Sequence, residues 1–132
     1  MILELEKLLD IDYEEFSKNR NKKFEKHFYS EPNEKSFSVF LKGDEYQFID
    51  EKIASIEFRN FKNLKRKYNF KIKKSLEGNL AYLTKNKIEW TIFQKYSYDQ
   101  YLVIKVSNTI YYEYEYEENK FNLNLIRVSN SE

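Results

Sequence analysis

The chain has 132 residues, the length of one ordinary domain, and a formal net charge of +1 from 23 Lys and Arg against 22 Asp and Glu. It contains no Cys, one His and two Gly, which excludes disulfide frameworks, thiolate nucleophiles, His-cluster metal sites and glycine-rich phosphate loops. Much of its 41% apolar content is 12 Tyr and 11 Phe, so aromatic rings must build much of the core.

No apolar run approaches the roughly 20 residues of a membrane span. The opening Met1-Ile-Leu-Glu-Leu-Glu-Lys7 puts acids where a signal peptide needs a basic and then an apolar region. The expectation is a soluble, cytoplasmic protein. Its abundance of residues with A/T-rich codons (Lys, Asn, Ile, Tyr, Glu) suggests a low-GC bacterial host cell or its phage.

Nothing divides the chain, so residues 1–132 read as one domain. Residues 1–30 are expected to be helical. Ile2, Leu5, Leu9, Tyr13, Phe16, Arg20, Phe24 and His27/Phe28 recur every three or four positions, and Asp12 with Glu15 resembles a capping box, so the region reads as one helix or as two broken near Asp10-Ile11-Asp12. Pro32-Asn33 ends it. Residues 36–50 then alternate with a period of two. A Gly43-Asp44 turn would pair Leu41 with Tyr46 and Val39 with Phe48 on one face. Residues 51–67 are expected to form a helix capped by Asp50, with Ile53, Ile56, Phe61, Leu64 and Tyr68 as its stripe. A strand at Ala54-Ile56-Phe58 is the competing reading.

Residues 68–128 are expected to form an antiparallel meander of four to six strands, at 68–73, 80–84, 88–94, 101–106, 110–116 and 121–128. The segment around Ser75–Leu83 reads equally as a short helix. A loop at Glu117–Lys120 pairs Tyr116 with Phe121, Tyr114 with Leu123 and Tyr112 with Leu125. A loop at Ser107–Thr109 brings Ile104 opposite Tyr112, and one at Ser97–Asp99 sets Ile92 beside Ile104. The other face would carry Glu89, Thr91, Phe93, Tyr101, Val103, Lys105, Tyr111, Glu113, Glu115, Asn122, Asn124 and Ile126. If no helix covers it, that face is a recognition surface. The fold class is thus α+β, with helices and a hairpin preceding the meander.

Charge is segregated along the chain. No acid lies between Glu57 and Glu77, where Arg59, Lys62, Lys65, Arg66, Lys67, Lys71, Lys73 and Lys74 supply eight positive charges. With a net charge of +1, the remainder of the chain carries −7. Phe58, Phe61, Tyr68 and Phe70 are interleaved, a composition that tracks phosphates and stacks bases. A solvated amphipathic helix with its aromatics in the core has the same pattern. The complementary candidate is acidic: Tyr101, Tyr111, Glu113, Glu115 and Glu117 would face outward and meet a protein partner, with carboxylates imitating phosphates. Alternation on a strand guarded against edge pairing explains the same residues. Asp10, Asp12, Glu14 and Glu15, joined by Asp44-Glu45 or Asp50-Glu51, could attract a hard cation. No known spacing is matched, and neither a metal nor a cofactor is expected.

The lone histidine falls in Arg20-Asn-Lys-Lys-Phe-Glu-Lys-His27. Over these eight residues the chain resembles the Arg-x(4–6)-His signature of HEPN ribonucleases, which sits on a helix of an all-helical domain. The resemblance implies that Arg20 would steady a phosphate and His27 would act in attack by a 2′-hydroxyl. A surface or helix-end histidine is the plainer reading.

Three functions remain in contention. The leading expectation is a non-enzymatic inhibitor that occludes a macromolecular target, such as a toxin-immunity protein or a phage anti-defence protein of the anti-CRISPR kind. Its partner would be a nuclease or nucleoprotein complex. The second is an RNA or single-stranded DNA-binding module using residues 59–74. The third is a small ribonuclease built on Arg20 and His27.

Overall fold

The computed structural model describes residues 2–29, 34–95 and 100–130. These form α1 (Ile2–Glu6), α2 (Tyr13–Asn19), β1 (His27–Phe28), β2 (Phe37–Leu41), β3 (Asp44–Ile49) and β4 (Lys52–Phe58). They continue as α3 (Phe61–Tyr68), α4 (Leu76–Lys85), β5 (Thr91–Lys95), β6 (Tyr101–Lys105), β7 (Ile110–Glu117) and β8 (Lys120–Ser129). All eight strands join one antiparallel sheet in the order β1-β2-β3-β4-β8-β7-β6-β5. The α+β class and the closing meander are as the sequence implies. Two meanders start at opposite edges and meet at β4–β8. The chain between them must cross four strand spacings, about 19 Å, and α3 and α4 make that crossing over one face.

The N-terminal helices are shorter than their periodicity suggests. Asp12 caps α2, its Oδ1 accepting the Glu15 N–H at 2.9 Å. The α1–α2 linker also runs beside the start of β4: Asp10 N–H donates to Ile53 O and Ile53 N–H to Ile11 O, both at 2.8 Å. α2 stops at Asn19, followed by Asn21 in the left-handed region (φ 49°). Phe24 is not helical; its N–H donates to the Tyr13 hydroxyl at 3.1 Å. His27 and Phe28 are strand. Pro32-Asn33 lies outside the described residues.

The first hairpin turns one residue earlier than expected, at Lys42-Gly43 rather than Gly43-Asp44, which moves each residue's pairing partner by two. Lys42 and Gly43 both have positive φ (51° and 91°), the type I′ requirement, and Leu41 pairs with Asp44, Val39 with Tyr46, and Phe37 with Phe48. A shift of two preserves which face each residue occupies. Asp44 is drawn out of the turn because its Oδ1 accepts the Arg59 and Asn60 N–H groups at 2.7 and 2.8 Å.

Residues 52–58 are strand rather than helix. Gln47 pairs with Ser55 and Phe48 with Ile53, leaving Ala54 as a bulge that lets Ile53 and Ile56 share a face at helical spacing. Asp50 and Glu51 occupy a tight turn with positive φ, so Asp50 caps nothing. The helix begins at Phe61 with Asn60 as its cap. Residues 69–73 are irregular and 80–84 are part of α4, so neither expected strand forms there; β5 begins at Thr91. The Ser97–Asp99 loop lies outside the described residues.

The β6–β7 register is as derived, with Ile104 opposite Tyr112, and Ile92 stands opposite Ile104. In β7–β8, Tyr116–Phe121 and Tyr114–Leu123 pair as expected. A bulge at Asn124 then moves Tyr112 from Leu125 to Ile126. Leu125 and Arg127 therefore turn to the outer face, and Ile126 enters the core.

Leu5, Phe16, Leu64 and Leu83 bring all four helices into the core on one side of the sheet, against residues such as Phe48, Ile56, Tyr112 and Tyr114. Aromatic contacts carry much of this packing: Phe37 and Phe48 stack at 5.0 Å, and Phe16 lies 4.9 Å from Tyr46. Among the described residues no helix is long and apolar enough to cross a membrane.

Candidate interaction surface

Because the helices all pack on one side, the other side of the sheet is bare among the described residues. Cross-strand partners share a face, so its central row reads from the pairings as Phe40, Glu45, Glu57, Arg127, Tyr111, Lys105 and Thr91. At its middle, Arg127 Nη2 lies 2.8 Å from Glu113 Oε2 and 3.2 Å from Glu57 Oε2. Arg59 Nη2 holds the other oxygen of Glu57 at 2.7 Å. Two arginines and two glutamates thus neutralise one another.

Burial pushes the Glu113 carboxyl above its ordinary range; Arg127 opposes the shift, Glu57 adds to it and Arg59 opposes it. Beside this network the Tyr111 hydroxyl and Arg127 Nε are buried with no hydrogen-bond partner among the described residues.

Aromatic side chains flank the network. Phe93, the bulged residue of β5, lies 5.0 Å from Tyr111, and Lys105 Nζ sits 5.9 Å from each ring. Phe93 and Tyr101 are 47% and 44% exposed, while Tyr111, in contact with Phe93, is 4% exposed. At the opposite end, Phe40 and Tyr29 are 54% and 51% exposed. The Tyr29 and Ser38 hydroxyls are 2.7 Å apart, and Ser38 Oγ donates to Glu45 at 2.7 Å. Burial raises the Tyr29 pKa, opposed by the Ser38 bond and reinforced by Glu45 and Glu57.

Of the expected partner-binding residues, Tyr101, Glu113 and Glu115 do occupy this face, Tyr101 directly opposite Glu115. Tyr111 shares the face but is covered. Glu117 stands at the β7–β8 tip, in a groove shared by Lys74, Glu115, Glu118 and Lys120. Ser38, Glu45, Glu57 and Arg127 also occupy this face, a placement the sequence reading missed. The period-two alternation of β2 and β3 was the available signal for the first two. The bulges at Ala54 and Asn124 hid the others.

The basic segment does not act as one patch. Arg59 joins the outer network, and Lys74 meets the acidic tip, where Leu123 N–H donates to Lys74 O at 2.7 Å. The basic and acidic regions therefore adjoin at that end. Lys62, Lys65, Arg66, Lys67, Lys71 and Lys73 stay exposed on the helical side. Phe58 and Phe70 are buried, and Phe61 and Tyr68 half-buried. These rings serve the core and offer no platform for bases.

Arg20 and His27 share no helix. Arg20 follows α2 on the helical side, its guanidinium 4.0 Å from the centre of the Phe16 ring. His27 pairs with Ser38 and contacts Phe40 at 5.2 Å on the bare side. The sheet separates them, so one scissile phosphate cannot meet both, and the ribonuclease-like pair is not assembled.

Asp12, Glu14, Asp50 and Glu51 do line one depression, together with Lys35 and Lys52. Among the described residues no group of three or more acids or histidines is placed to hold a metal ion. The chain matches no family model, no curated protein and no solved structure.

Proposed function

We propose that this protein works by binding, as a non-enzymatic inhibitor that docks a protein target on the bare face of its sheet and blocks it. The supporting observation is the arrangement of that face: exposed Phe40, Phe93 and Tyr101 around the self-neutralised Glu57–Arg127–Glu113 network. Aromatic side chains are the usual anchors of protein interfaces, because they bury much area while losing few rotamers. A five-residue stretch across eight strands spans about 38 by 17 Å, or roughly 650 Å². That approaches the ~800 Å² per partner of a standard interface. An immunity protein or a phage anti-defence inhibitor of the anti-CRISPR kind, acting on a nuclease, is the working class; its support is the small chain, the lack of catalytic motifs and the segregated charge.

The test is affinity purification from nuclease-treated lysate of the source cells. A stoichiometric protein captured by wild type and lost with Phe40→Ser/Tyr101→Ser supports the reading. Capture that survives those substitutions, or no stoichiometric protein at all, refutes it.

A further inference from the structure

We propose a second binding site, independent of the bare sheet face: a basic belt around α3 that holds the sugar–phosphate backbone of nucleic acid without reading its bases. Three groups of cations compose it. On one flank Lys65, Lys71 and Lys73 line a groove with Asn69 and Tyr82, and no acid shares that lining. Lys62 and Arg66 project outward from α3, one turn apart, where side chains stand about 5–6 Å from one another. On the other flank, Lys67 lies within electrostatic range of Arg20, which follows α2, and of Lys42 in the β2–β3 turn, whose carbonyl accepts from the Asn60 side chain at the start of α3. Lys67 binds its proton less tightly than usual, first through burial and then through those two cations.

The tertiary fold thus recruits Arg20 and Lys42, which lie far from the basic segment in sequence, and removes Arg59 and Lys74 to acidic surroundings. The Asn60 side chain fixes this geometry, donating to Lys42 O at 2.9 Å while accepting from the Asn63 N–H at 3.1 Å.

Among the described residues, none of the eight belt cations forms an ion pair with an acid. Asp44 and Glu4 act on Tyr68, but Asp44 is 2% exposed and its Oδ1 accepts two backbone N–H groups. Uncompensated like charge opposes folding and attracts a polyanion.

Two observations select nucleic acid over an acidic protein. None of the exposed large apolar side chains lies in the belt, so a protein partner would find no anchor there. The cations also wrap two flanks and the outer side of one helix, a path that a linear polyanion can follow and a flat protein face cannot. With the neighbouring aromatics turned inward, contacts are restricted to phosphates, and binding must be indifferent to sequence.

The test is fluorescence anisotropy with labelled RNA and DNA strands of about 20 nucleotides, and a matching duplex, titrated across salt concentration. About four phosphate contacts give a log–log salt slope near −3 on a single strand. Lys65→Gln/Lys71→Gln/Lys73→Gln and, separately, Lys42→Gln/Lys67→Gln should each weaken low-salt binding by about tenfold or more, whereas Arg59→Gln/Lys74→Gln should bind as wild type. Thermal unfolding confirms that each variant is folded. The proposal fails if no strand binds at low salt, if belt variants bind as wild type, or if one base composition is strongly preferred. It also fails if polyglutamate at equal charge displaces the strand as well as unlabelled RNA does, which would assign the belt to an acidic protein.

Discussion

Asn79 and Tyr114, 35 positions apart, meet inside the protein, where Asn79 Nδ2 donates to the tyrosine oxygen at 2.8 Å. The same amide accepts the Lys73 N–H at 2.6 Å and donates to Lys73 O at 2.9 Å. One side chain thereby ties α4 to β7 and satisfies the irregular segment that carries part of the basic belt. Asn79→Leu strands several buried polar groups and should destabilise by roughly 2–4 kcal/mol. Tyr114→Phe leaves the Lys73 bonds intact and should cost about 1 kcal/mol. Urea unfolding of both variants checks the ratio; equal losses would mean that the Lys73 bonds contribute little.

Arg127 is the opposite kind of link, partly solvated and shared between two acids. Its side chain is 37% exposed, so solvent screening limits the loss in Arg127→Met to about 1 kcal/mol at neutral pH. Glu113 already binds its proton more tightly in the fold than in the open chain, and without Arg127 it does so still more. Such a group supports the fold fully at low pH and loses that support as pH rises through its folded value. The deficit of the variant should therefore be larger at pH 8 than at pH 5. A deficit independent of pH would exclude Glu113 as its cause.

Three core tyrosines carry an alkaline liability. Burial pushes Tyr46 up to about 12 from the ordinary 10.0, and raises Tyr112 and Tyr114 as well. Folded values above unfolded ones mean that their contribution is intact below pH 10 and is lost as pH rises toward and past 12. Phenolate absorbance followed with circular dichroism should show these rings ionising only as the fold melts. Full ionisation of every tyrosine in a still-folded protein would contradict the burial assigned to them.

Gly78 sits in the first turn of α4, where a mid-helix argument would favour alanine by about 1 kcal/mol. Here an added Cβ would stand 2.8 Å from Ser75 Oγ and 3.0 Å from Lys73 Cβ. Ser75 Oγ is the cap that accepts the Gly78 N–H at 3.0 Å. Gly78→Ala should therefore lower stability by about 1 kcal/mol through the displaced cap. A higher melting temperature for the variant would show that Ser75 moves aside freely.

Much of the architecture was legible because it is local. The Asp12 cap follows from a side chain reaching three residues along its own segment. Short loops with inward alternation sufficed for the registers of β6, β7 and the first half of β8. The bare face was likewise readable from β6 and β7, down to Tyr101, Glu113 and Glu115. The same periodicity misled wherever a bulge intervened. Ile53 and Ile56, three apart, mimic a helical stripe because Ala54 is looped out, and Asn124 reverses the faces of Leu125 and Ile126.

By itself the sequence determined the element types with strong local signals, the segregation of charge and the absence of disulfide, thiolate and His-cluster chemistry. Only the tertiary structure decided that β4 pairs with β8, that Arg127 bridges Glu57 and Glu113, and that Arg20 and Lys42 join the lysines of α3 while Arg59 and Lys74 leave them. The physical reason is that local periodicity reports which side of its own element a residue occupies. Bulges, turn registers and long-range pairing reset that side and choose its neighbours, and their energies depend on partners distant in the chain.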